Sequence, residues 1–276
     1  MEPAMTSAWR SRGDFARGVA IRRIQDVVPP AVAFFGALAV WEATVRILQL
    51  KQFILPSPLA IATAWQTYLP ELLDATSYTL GEVVGGLLMG VAAGLLVGVI
   101  TARFAAVRGS LMPFAIAANS VPIIAFAPIF NNWFGVDSQF SKAMIAGVLV
   151  FFPIMINTVR GLLNVDPAAI ELMRSYAASE FTIFRVVRVP NSLPFLFTAL
   201  RVATTLATIG AIVAEYFAAP RSSLGQYIAT NSAFLAFDRS WAAIIFAAAI
   251  GIGLYLVVVG LERLVTPWAA ARAEIR

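Results

Sequence analysis

Six stretches of about twenty apolar residues, separated by polar or proline-marked segments, constrain this chain more than any other feature. They run at 28–49, 79–102, 110–130, 143–163, 194–218 and 241–263. A helix rises about 1.5 Å per residue, so roughly 20 residues cross a hydrocarbon core of about 30 Å. Backbone in lipid must satisfy its own hydrogen bonds, which leaves helices or closed barrels, and runs of this length select helices. With 60% hydrophobic and 13% charged residues, the chain falls far below the roughly 25% charge of soluble domains. The expected fold is all-α: one polytopic transmembrane bundle of six spans.

Arginine placement gives the topology. An even number of spans puts both termini on one side. That side collects Arg10, Arg12, Arg17, Arg22, Arg23, Arg103, Arg108, Arg160, Arg174, Arg185, Arg188, Arg263, Arg272 and Arg276, whereas the other has Lys51, Lys142, Arg221 and Arg239. Cationic loops stay cytoplasmic, so both termini are expected inside. Residues 1–27 lack an apolar run ending at a small-residue cleavage site and read as a cytoplasmic tail. The transmembrane core is 28–265, with a short cytoplasmic tail at 266–276. The expected location is a cell membrane crossed several times.

Within the runs, Gly86, Gly90, Gly94 and Gly98 recur every four residues. Small residues at this spacing let two helices approach closely in lipid, which is the plainer reading beside a pore-lining role. The third run contains Pro113, Pro122 and Pro128 together with Asn119 and Ser120. Irregular backbone at membrane depth is tolerated where protein or a water-filled cavity surrounds it. Asn119, Ser120 and Pro122 are therefore candidates to line a pathway, with a structural kink as the alternative. Glu42 lies four residues before Arg46, a spacing that suits a local ion pair. Glu82, Arg201 and Glu215 fall toward span ends. Glu215 is either part of the pathway as a gate or an interfacial residue with a local partner. No carboxylate pair is expected at mid-membrane.

Several chemistries are excluded. Without Cys or His the chain has no thiolate nucleophile, no Cys/His metal site and no Ser–His–Asp triad. No catalytic residue and no metal ligand are assigned. The net charge of +5 is accounted for by topology, and no nucleic-acid partner is expected. A nucleotide-binding loop of the GxxxxGK[ST] type needs a lysine for the phosphates, and neither Lys51 nor Lys142 follows such a loop. If ATP drives this protein, another chain binds it.

The segment 164–193 is the longest charged internal stretch, with Asp166, Glu171, Arg174, Glu180, Arg185 and Arg188. Asp166-Pro167 suits a helix start: Asp caps free N–H groups and proline fits the first helical position. Ile170, Met173 and Ala177 then share one face. A second short helix is predicted near Phe181–Val187, ending at Pro190 and Pro194. Two short amphipathic helices on the cytoplasmic side read as an interfacial connector or as a docking surface for a partner's groove.

This segment resembles the EAA motif of bacterial ABC importer permeases: EAA, three residues, G, nine residues, then I-x-L-P. Glu171-Leu172-Met173 stands at the EAA position, Ala177 at the glycine, Val187 at the isoleucine and Val189-Pro190 at the final Leu-Pro. Only Glu171 and Pro190 match strictly, but the spacing is kept. Leu55-Pro56-Ser57-Pro58, the stretch from Pro128 to Trp133-Phe134-Gly135, and Ile212-Val213-Ala214-Glu215 followed by Leu224-Gly225 resemble the nitrate/sulfonate/taurine-type permeases. Together these features cover about 50–265.

The resemblance implies a type I ABC importer permease. A pair of permeases, the second one identical to the first, would form the path, and two ABC ATPase subunits carrying ATP and Mg would dock on the cytoplasmic loops. A periplasmic or lipid-anchored binding protein would deliver substrate. No cofactor is expected in this chain. Coupling would run through Glu171, Leu172, Met173, Arg174, Ala177, Val187 and Pro190. The implied substrates are sulfonates, taurine or nitrate, or a pyrimidine or flavin vitamin precursor. A path built on Asn119, Ser120 and apolar neighbours is nearly uncharged and favours a neutral or aromatic solute. The alternative is a stand-alone secondary transporter or channel, for which intramembrane charge is sparse.

Overall fold

The computed structural model describes residues 12–217, 220 and 222–268, with side chains from residue 28 onward. Arg10, Arg221, Arg272 and Arg276 lie outside the described residues, as do residues 1–11 and 269–276 of the two expected tails. Helix α1 spans Arg12–Ile47 and carries Pro29 and Pro30 in its interior, so the helix begins well before the prolines expected to open it. Its apolar part is Val28–Ile47. The short α2, Pro58–Thr67, starts where the Ser57 side chain accepts from the Ala60 N–H at 3.2 Å, with Pro58 at the first helical position.

The bundle core is built by α3 (Leu69–Arg103), α6 (Gln139–Leu163), α9 (Val189–Phe217) and α11 (Phe237–Val265). Their length and hydropathy suit membrane crossing, as do those of the apolar part of α1. The glycine row of α3 packs on α6. A Cβ built at Gly86 would stand 2.6 Å from the Ala143 carbonyl oxygen and one at Gly90 2.4 Å from that of Gly147, while one at Gly98 would stand 2.8 Å from Thr158 Cβ. The four glycines therefore make the helix contact, and pore lining is not their role here.

Residue numbers rise together along this interface, from Gly86 against Ala143 to Gly98 against Thr158, so α3 and α6 are parallel. The chain between them must return across the whole bundle. It does so as α4 (Ala105–Ala118) and α5 (Ala127–Phe134), joined through a 3-10 turn at Ile123–Phe126 and bent by 82°. Parallel packing thus makes the bent pair a broken sixth span.

Helix α9 runs antiparallel to α6, since Gly161 meets Ser192 and Gly210 meets Ala146. A row of small side chains, Ala199, Ala203, Ala207 and Ala211, buries its inner face against Ala146, Val150 and Ile154 of α6 and Ala243 and Ala247 of α11. Helix α1 lies at the rim. Only Val45 is buried among its described side chains, and Trp41 meets Trp241 at 5.3 Å.

Two bundle ends follow. One gathers the start of α3, the start of α6, the end of α9, and α10 (Leu224–Ala233). The other gathers the ends of α3, α6 and α11 and the segment between α6 and α9. That segment forms α7 (Pro167–Ser175) and α8 (Glu180–Ile183), followed by a π-turn at Phe184–Arg188.

Candidate functional site

The coupling candidates stand on the segment between α6 and α9. As read from Asp166-Pro167, the Asp166 side chain accepts from the Ala168 N–H at 3.0 Å and opens α7. Glu171, Leu172 and Arg174 are exposed, Met173 is half-buried, and Arg174 pairs with Glu180 at 3.1 Å. Leu172, Tyr176, Phe181 and Val186 form an apolar surface in the open, with Tyr176 76% and Phe181 72% exposed. Val187 and Pro190 are half-buried at the junction with α9.

Two details differ from the sequence reading. Ala177 does not share a helix face with Ile170 and Met173, because α7 ends at Ser175 and Ala177 adopts φ +54°. This is the left-handed region that glycine enters without strain. The glycine of the motif therefore answers a backbone requirement as well as one for small size. The second short helix also does not end at Pro190: helix continues from Glu180 to Phe217. Pro190 has no N–H and its ring crowds the preceding turn, and the wider π-turn at Phe184–Arg188 lies where that crowding falls.

The segment is anchored from behind. The Asn191 amide donates to the carbonyls of Gly161 and Asn164, both at 2.9 Å, and Arg188 donates to the Leu162 carbonyl at 3.3 Å. These groups occupy the unpaired carbonyls at the end of α6. Asn191 escaped the sequence reading because its partners lie about thirty positions away.

The pathway candidates separate. Asn119, Ser120 and Pro122 form the break between α4 and the 3-10 turn. Asn119 lines a cavity of about 450 Å³ together with Pro153, Asn157 and Arg160 of α6 and Val202 and Leu206 of α9. Arg160 also lines an adjoining cavity of about 570 Å³ with Arg108 and Asn164. The sequence reading used Arg160 only as a topology marker. The structure gives the cavity wall a guanidinium and two amides, so it is not nearly uncharged.

Glu215 lies elsewhere, fully buried at the opposite end of the bundle. It accepts from the Thr79 hydroxyl at 2.7 Å and from the Gly225 N–H at 2.7 Å. The Leu224 N–H donates to the same Thr79 oxygen at 3.0 Å. Glu82 is fully buried beside Glu215, and Lys142 lies in the same cluster and donates to the Val136 carbonyl. A buried carboxyl pair therefore forms where these span ends meet, a place distinct from the mid-membrane position at which none was expected. Each residue read alone sits toward a span end, and the pair arises only when parallel α3 and α6 and antiparallel α9 bring those ends together. A Cβ at Gly225 would stand 2.4 Å from the Ile212 carbonyl oxygen, so only glycine lets the backbone reach Glu215.

Four other acids and bases form two ion pairs. Glu42 accepts from Arg46 at 2.6 Å and from the Leu59 N–H at 3.2 Å, and Arg201 pairs with Glu262. Among the described residues no group of three acidic side chains gathers to hold a metal ion.

Residues 90–270 match the family described as binding-protein-dependent transport system inner membrane component. The chain is similar to the riboflavin transport system permease protein of Chloroflexus aurantiacus, 33% identical and covering 91% of this chain and 95% of that one. It is 30% identical to the formylaminopyrimidine transport permease protein of Halalkalibacterium halodurans, over 90% of this chain and 98% of that one. The taurine transport system permease protein of Escherichia coli is 29% identical, over 84% and 86%. A chain of the MetNI methionine ABC transporter, solved in inward-facing conformations, shares the fold with TM-score 0.61 at 19% identity, covering 72% of this chain and 98% of that one.

Proposed function

The chain belongs to the family of binding-protein-dependent transport system inner membrane components, the ABC importer permeases of nitrate, sulfonate and taurine type, and from that premise we propose that two identical copies form one translocation path. It is a multi-pass inner-membrane transport subunit and not an enzyme, with ATP hydrolysis on partner subunits. In the proposed assembly two ATPase subunits, carrying ATP and Mg, dock on the segment 164–193. A periplasmic or lipid-anchored binding protein delivers substrate at the opposite end. Both termini are cytoplasmic, with 28–265 as the permease domain between the tails at 1–27 and 266–276.

One observation carries the docking role: apolar side chains stand exposed on the short helices at 167–188, and that segment is tied to the ends of α6 and α9 by Asn191 and Arg188. Such a surface fits a partner's groove. A push on it passes directly to two core helices. ATP-driven closure of the ATPase pair would then rock the spans between inward- and outward-facing arrangements, with Glu171, Leu172, Met173, Arg174, Ala177, Val187 and Pro190 at the joint.

For the substrate we propose a small solute with hydrogen-bond acceptors or an anionic group: a sulfonate, taurine, nitrate, or a pyrimidine or flavin vitamin precursor. Arg160, Asn119 and Asn157 on the cavity wall favour acceptor-bearing solutes over a purely apolar one. Ligand-binding assays on the partner binding protein against these compounds discriminate among them. The docking role is tested by co-purification. Glu171→Lys should insert normally and lose the ATPase subunit; normal ATPase recovery and uptake in this variant would remove the segment from the joint. The buried acid pair alone would favour a proton-coupled carrier acting singly. Retained uptake on collapse of the proton gradient, with loss on ATP depletion, separates the importer from that reading.

A further inference from the structure

The cluster at the end opposite α7 contains an unpaired group. Glu82 is fully buried, and among the described residues neither of its carboxyl oxygens has a hydrogen-bond donor. Its carboxyl faces that of Glu215. The charged and titratable groups around it come from each packed element: Tyr78 and Glu82 from α3, Asp137 from the link before α6, Lys142 from α6 and Glu215 from α9. Two carboxyl groups in contact repel when both are ionised, and a buried carboxylate without donors is strongly disfavoured. With all three groups charged, Glu82, Glu215 and Lys142 would leave one excess negative charge sealed in an apolar core.

We propose that Glu82 and Glu215 bind one proton between them, and that this shared proton latches the end of the bundle away from the coupling segment. The proton belongs on Glu82. Glu215 already accepts from Thr79 and Gly225 on separate oxygens, an arrangement that suits a carboxylate, and it keeps lone pairs free for a third donor. Glu82 as the acid then donates to Glu215. Lys142 balances the remaining negative charge, and the trio is neutral. A metal ion does not suit this place: only two carboxyl groups meet here, and an ammonium is already beside them.

The contacts joined by the pair explain what it would hold. Glu215 ties α9 to α3 through Thr79 and to α10 through the Gly225 N–H, and Thr79 itself accepts from Leu224. Opening this end exposes Glu82 to water, where an ordinary glutamic acid is ionised near neutrality. The closed arrangement therefore binds one proton more than the open one, and acidification favours closure. The latch function rests on the alternating-access reading above. The shared proton does not.

The test uses the full-length protein in lipid nanodiscs. Infrared spectroscopy at neutral pH should show the carbonyl band of a protonated carboxylic acid, lost in Glu82→Gln, whose amide keeps a donor toward Glu215. Absence of the band in the wild type, or its persistence in Glu82→Gln, overturns the shared proton whatever the protein transports. The chain has no cysteine, so spin labels at Leu73→Cys and Phe234→Cys, both exposed at this end, report its opening. The longer distance should gain population in the wild type as pH rises from about 6 to about 8, while Glu82→Gln stays short throughout. Identical distance distributions in both proteins at every pH overturn the latch.

Discussion

At one end of the bundle α3, α6, α9 and α10 converge on charged groups sealed from solvent, whereas at the other end α7 and α8 hold apolar side chains in the open. Glu82, Glu215 and Lys142 are fully buried, while Leu172, Tyr176, Phe181 and Val186 are among the exposed hydrophobics. Each arrangement reverses the usual placement of polar and apolar groups, and each requires a partner. The buried charges find theirs within the chain, through Thr79, Gly225 and each other. The exposed apolar groups have none among the described residues, which is why the docking role is proposed for them. The difference separates residues that hold the fold from residues proposed to meet another subunit.

The sharpest way to break this comparison is to remove the centre of the buried end. Glu215→Ala leaves the Thr79 hydroxyl and the Gly225 N–H without their acceptor and removes one of the carboxyl groups around Lys142. Breaking one side of a buried charge network typically costs about 3–5 kcal/mol. The expected result is a large fall in the SDS- or heat-unfolding midpoint of the purified subunit. A wild-type midpoint would mean that the cluster is not structural. Gly225→Ala tests the same joint more gently. Its Cβ would lie 2.4 Å from the Ile212 carbonyl oxygen and 2.5 Å from Glu215 Cβ, and such overpacking costs about 1–3 kcal/mol. The α10 backbone must back away, lengthening the bond to Glu215.

At the open end the prediction inverts. Leu172→Asp removes apolar surface that touches little within the chain. Exposed substitutions of this kind change stability by less than about 0.5 kcal/mol. Affinity for the ATPase subunit should fall by tenfold or more, equivalent to about 1.4 kcal/mol, as measured by titrating the purified ATPase onto nanodisc-embedded permease. Unchanged binding would place the docking surface elsewhere.

The two ends also differed in how far the sequence disclosed them. Span length is a local property set by bilayer thickness, so six apolar runs stood out without tertiary information. The row from Gly86 to Gly98 announced a close helix contact for the same local reason, and Asp166-Pro167 marked the start of α7. The buried cluster depends instead on how three helices are rotated about their axes and on which pairs run parallel. Hydropathy carries neither quantity. Glu82 and Glu215 are far apart in sequence and each resembles an interfacial residue until α3 and α9 are packed. Arg160 entered the charge count used for topology but also faces a cavity, which a charge count does not reveal. The helix through Pro190 was hidden because proline ordinarily breaks a helix, and the π-turn that accompanies it has no simple sequence signature.

The smallest expected effect concerns Ala177, where the open end carries a strain of its own. Its φ of +54° places Cβ too near the following carbonyl, a conflict of roughly 1–2 kcal/mol for a non-glycine residue. Two backbone hydrogen bonds enforce the conformation: the Ala177 N–H donates to the Arg174 carbonyl at 2.9 Å and the Ala178 N–H to the Met173 carbonyl at 3.1 Å. They close the end of α7 and turn the chain toward Ser179, whose side chain accepts from the Thr182 N–H at 3.2 Å. Ala177→Gly relieves the strain but returns conformational entropy to the unfolded chain, for a net gain of about 0.5–1 kcal/mol. Because Ala177 is exposed, the gain should appear as slower amide exchange at α7 and α8, with the bundle core unaffected. Unchanged or faster exchange there would mean that the turn is held by its neighbours and that glycine at this position serves the partner's approach instead.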